Sequence, residues 1–87
     1  MSTAKVPEIE YAAFDAMKEV ASSLKAAYFR QQLATDSALE IEYWTSQEDF
    51  VHRTVRGVDN TDLDEIRAAA EFFARLLDEL ETRAKVA

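Results

Sequence analysis

The sequence predicts an α+β fold: two long antiparallel helices with a short β-hairpin between them. Three observations carry this. Apolar residues recur at helical 3-4-3-4 spacing near both ends of the chain, the middle alternates apolar and acidic residues over Leu39–Trp44, and 87 residues contain one Gly and one Pro. So few turn-formers exclude a sandwich or barrel, which needs many tight turns. An all-α three-helix arrangement is the alternative, in which the middle also coils into a helix. The length fits a single domain over 1–87.

The first helix is expected over about 7–34. Pro7 suits the first turn, where its missing N–H goes unused, and Glu8 and Glu10 would lie near the positive end of the helix dipole. Phe14, Met17, Ala21, Leu24 and Tyr28 form one stripe, widened by Val20 and Ala27. Thr35-Asp36-Ser37 ends it, because these side chains compete for backbone hydrogen bonds.

The middle, about 38–57, reads as a hairpin or a short helix, and the hairpin is favoured. Leu39-Glu40-Ile41-Glu42-Tyr43-Trp44 has the period and residue types of a half-buried strand. Phe50–Arg56 repeats the alternation weakly, with Thr45–Asp49 as the turn. The rival reading takes Thr45 with Glu48, or Ser46 with Asp49, as a capping box, and Gly57 as the residue after a helix over 47–56.

The last helix is expected over about 62–85. Leu63, Ile66, Ala70, Phe73, Leu77, Leu80 and Ala84 keep the 3-4 spacing throughout. Asp62 is the cap, with Glu65 completing the box, and Arg83 and Lys85 sit at the negative end of the dipole. Glu71–Arg75 and Glu81–Lys85 are i,i+4 pairs in the favourable order. Phe72 and Leu76 lie beside the main stripe.

Composition narrows function. With no cysteine, a disulfide framework, a thiolate zinc site and a Cys nucleophile are all excluded. His52 is the only histidine, and Glu48 would lie one helical turn from it; two ligands on one segment with no second cluster elsewhere fall short of a metal site, and no motif supplies a general-base arrangement. One glycine excludes a phosphate-cradling Gly-rich loop. The chain therefore predicts no enzyme and no cofactor. Net charge is −7, and all of it lies in residues 36–66, which hold nine acids against Arg53 and Arg56. Such a balance disfavours sequence-specific nucleic-acid binding. No apolar stretch approaches the length of a membrane span, and the N-terminus shows no signal-peptide pattern, which predicts a cytoplasmic protein or a particle assembled in the cytoplasm.

Protein–protein binding survives these exclusions. A chain this small buries only about 60–65% of its surface, too little to hide all its aromatics. Phe14, Tyr28 and Phe73 are expected in the core. Phe29, Arg30, Tyr43, Trp44, Phe72 and Leu76 are the expected interface residues, since Trp, Tyr and Arg lead interface hot spots. Self-association is expected, because free monomers seldom leave large apolar patches exposed.

The stretch Val55-Arg56-Gly57-Val58-Asp59-Asn60-Thr61-Asp62-Leu63-Asp64-Glu65-Ile66-Arg67 resembles the strand-to-helix junction of the gpW-like phage head–tail joining proteins. There a short strand ends in a polar cap, a long helix with Leu and Ile at i, i+3 follows, and an Ala- and Leu-rich helix precedes the hairpin. The resemblance implies two antiparallel helices on a hairpin. It also implies a structural subunit of a tailed-phage virion, forming a homo-oligomeric ring between the portal and tail proteins. The middle segment is longer here, and the last helix leaves almost no tail. The alternative is a small acidic regulatory binder, such as an antitoxin, an anti-CRISPR protein or an adaptor, whose acidic middle fills a basic groove and whose binding weakens with salt.

Overall fold

The structure, a computed structural model, describes residues 8–86 of the chain, with side chains from 11 to 83. It consists of α1 (Glu8–Leu33), α2 (Ala38–Gly57) and α3 (Leu63–Val86). Among the described residues there is no strand, so the expected α+β fold with a β-hairpin is incorrect and the all-α alternative is the architecture. Pro7 lies outside the described residues.

The middle is one unbroken helix for reasons visible in its side chains. Ser37 caps it: the Glu40 amide donates to Ser37 Oγ at 3.3 Å, and the Ser37 amide donates to Thr35 Oγ1 at 3.1 Å. Trp44, Val51, Val55 and Val58 then fall at helical spacing and pack on the core that α1 carries. The apparent strand alternation arises because Leu39 and Tyr43 belong to a second stripe of the same helix, interleaved with Ile41 and Trp44. The segment expected as a turn, Thr45–Asp49, is mid-helix. Thr45 and Thr54 donate their hydroxyls to the carbonyls of Ile41 and Phe50, each at 2.8 Å. That bond to the preceding turn lets a β-branched residue sit inside a helix. Gly57 is the last helical residue and has no positive φ, so it is not a left-handed terminator.

The connection to α3 is a hydrogen-bonded turn. Asp59 Oδ1 accepts from the Thr61 amide at 2.9 Å and from its hydroxyl at 2.7 Å. These two bonds hold the Asp59 carboxyl below its usual pKa. Asp62 caps α3 as expected, accepting from the Glu65 amide at 3.1 Å. The return half of the box is displaced: Glu65 Oε2 accepts from the Asp59 amide at 3.3 Å rather than from Asp62. Ion pairs play a small part. Among the described residues Asp15–Lys18 (3.9 Å) and Asp49–Arg53 (2.8 Å) are formed, both on exposed surface, and the expected Glu71–Arg75 pair is not.

The core is built on α1. Met17, Ala21, Leu24, Ala27 and Tyr28 are buried there, joined by Val51 of α2 and by Ile66 and Phe73 of α3. α1 packs extensively against both other helices, while α2 and α3 barely touch each other. Ala27 and Arg30 of α1 lie beside Leu80 and Glu81 of α3, so α1 and α3 run in the same direction, with α2 antiparallel between them in sequence. The two long helices are thus parallel, not antiparallel: a full helix in the middle reverses the chain twice. The Cα extents are 57 × 23 × 15 Å. Three rods side by side at about 8–10 Å spacing span about 23 Å, whereas a closed triangular bundle spans about 15 Å both ways. The molecule is an open layer, with α1 in the middle and a valley between α2 and α3.

Candidate functional site

The valley is lined with aromatics because α2 and α3 each carry a second apolar stripe beside the one that meets α1. Its floor is Tyr28, whose ring stacks on Trp44 with centroids 5.6 Å apart. Tyr43 meets Trp44 edge-on at 4.8 Å. Phe50 of α2 reaches across to Phe72 of α3 at 6.1 Å, again edge-on, and Phe72 touches Phe73 at 6.0 Å. Tyr28, Tyr43, Trp44, Gln47, Leu76 and Arg83 surround an open cleft of about 100 Å³. The Tyr28 phenol is held above its ordinary pKa, chiefly by burial and then by the neighbouring Tyr43 and Glu79.

Four of the six expected interface residues therefore share one surface. Tyr43, Trp44 and Leu76 line the cleft, and Phe72 continues it through Phe50. Phe29 and Arg30 do not belong to it. Phe29 is 51% exposed on the side of α1 turned away from the valley, and Arg30 lies in a shallow hollow between α1 and α3 with Gln31 and Glu81. Both sit on α1 at positions that the core stripe leaves outside. Sequence reasoning missed Leu39 and Phe50 as members of this surface, while Tyr28 is in the core as expected. The signal was present: Leu39, Tyr43 and Phe50 stand at i, i+4 and i+11, one face of a helix, once the middle is read as helical.

His52 is exposed on α2. Among the described residues no group of three or more His, Asp or Glu side chains is placed to hold a metal ion. None of the described helices is long and apolar enough to cross a membrane. No family model matches the chain, and neither does any curated protein or solved structure.

Proposed function

We propose that this chain is a non-enzymatic protein-binding module whose recognition surface is the valley between α2 and α3. The observation that carries the reading is the convergence of Tyr43, Trp44, Phe50, Phe72 and Leu76 on one open face. Aromatic side chains combine large apolar area with few rotors, so they bind at low entropic cost. A phage connector subunit is one form such a module takes. Of the features behind that expectation, the hairpin is replaced by α2, while the polar cap of α3 at Asp62 stands. An acidic regulatory binder is a second form, favoured by Glu40, Glu42, Glu48 and Asp49 on α2.

A photo-crosslinking residue placed at Tyr43, and as a control at Ala26 on the exposed far side of α1, tests the module in the producing cell. Discrete crosslinked products are expected from position 43 and not from 26. Equal smears from both positions, or none from either, would remove the valley as a binding surface.

A further inference from the structure

We propose that the partner of the valley is a second copy of this chain, docked through α2 against α2 in antiparallel, twofold-symmetric fashion. This deepens the binding-module reading and rests on it. The first support is the outer stripe of α2. Leu39, Tyr43 and Phe50 are 79%, 55% and 40% exposed along one line of a 20-residue helix. Side chains of this size carry roughly 150–250 Å² each, so these three alone present about 350 Å² of apolar area per copy. A stable dimer buries about 800 Å² per partner, and Phe72, Leu76 and the polar flanks of α2 lie next to the stripe to supply the rest.

The second support is charge. The N-terminal half of α2 carries Glu40 and Glu42 and no base, Glu48 and Asp49 lie near its middle, and Arg53 and Arg56 lie toward its C-terminal end with no acid beyond Asp49. Glu40, Glu42, Arg53 and Arg56 are exposed. A partner that complements the two ends of this helix needs a basic end facing 40–42 and an acidic end facing 53–56. The same helix turned end for end has that layout. A parallel copy would set acid against acid and base against base, and a uniformly basic groove would clash with Arg53 and Arg56. A twofold axis across α2 also uses one self-complementary patch on both copies, which closes at two subunits.

The test is sedimentation of the full chain across about 1–500 μM, with helicity checked for every variant. The wild type is expected to be a dimer that dissociates on dilution. Tyr43→Lys, an exposed position, should weaken it about tenfold or more by placing a charge in the apolar stripe. Two charge variants fix the orientation independently of exact register. Glu40→Lys/Glu42→Lys and Arg53→Glu/Arg56→Glu should each dimerise more weakly alone, and an equimolar mixture should recover a heterodimer near wild-type strength. A wild-type chain that stays monomeric, that forms rings of six or more, or whose dimer ignores these substitutions would overturn the proposal. In the first case, crosslinks from position 43 to a different protein would leave the binding-module reading standing, while their absence would end both.

Discussion

Gly57 is a residue whose chemistry and position disagree, and the disagreement is measurable. It closes α2 with a negative φ, and a Cβ added there would meet nothing within 4 Å. The site uses none of glycine's special freedom, yet the unfolded chain keeps all of it. Gly57→Ala is therefore expected to stabilise the fold by about 0.4–1 kcal/mol. A urea titration with an unchanged slope and a higher midpoint would confirm it. A lower midpoint would mean that the α2 terminus needs glycine. Tyr28 presents the opposite situation, a polar tip on a side chain whose ring is nearly fully buried. Its folded pKa is raised above the ordinary value near 10, so its contribution is complete below that pH and is lost as pH climbs through the folded value. The thermal midpoint should fall between pH 9 and pH 11 (roughly one unit either side of a free phenol's pKa), and Tyr28→Phe should flatten that fall. An equally steep decline in the variant would place the alkaline sensitivity elsewhere.

The three helices differ in what holds them. α1 is packed on both sides and α3 buries Ile66 and Phe73, but α2 buries only Val51 completely and leans chiefly on α1. A helix with so little buried surface opens at low free energy. Native-state hydrogen exchange on dilute protein should show the amides of 41–50 exchanging faster than those of 17–28 by a factor that does not depend on the α3 amides. Equal protection across all three helices would mean that the layer unfolds only as a unit. The same imbalance explains what the sequence could show. α1 and α3 each display one long unbroken 3-4 stripe whatever lies beside it, and Asp62 announces its helix, so both are legible with bounds correct to one or two residues. In α2 the inward stripe of Trp44, Val51 and Val55 interleaves with the exposed Leu39, Ile41, Tyr43 and Phe50. Over Leu39–Trp44 their sum mimics the period of a strand. The aromatic valley was readable as residue types, which is why Tyr43, Trp44, Phe72 and Leu76 were identifiable. Its composition as a surface was not, because Phe50 joins Phe72 only if α2 is a helix, whereas Phe29 separates from the rest because it lies off the core stripe of α1.

At the scale of the whole molecule, charge and shape act against each other. The radius of gyration is 15.4 Å, against about 12 Å for a compact chain of this length, so the layer already spreads its charge widely. Even so, the −7 is concentrated in residues 36–66, which span α2, the connections on either side of it and the start of α3, and where nine acids face only Arg53 and Arg56. The formed ion pairs are exposed and contribute little, so salt has little attraction to remove. It has considerable repulsion to remove. The screening length falls from about 30 Å at 0.01 M to about 8 Å at 0.15 M, from longer than the 23 Å width of the molecule to well below it. Raising sodium chloride across that range should therefore raise the thermal midpoint, by a few degrees for a domain of this size. The Tyr43→Lys variant, kept monomeric at low micromolar concentration, isolates this effect from any change in association. A midpoint that drops with salt in that monomer would show that attractive pairs, rather than the crowding of carboxylates along α2, govern the electrostatics of the fold.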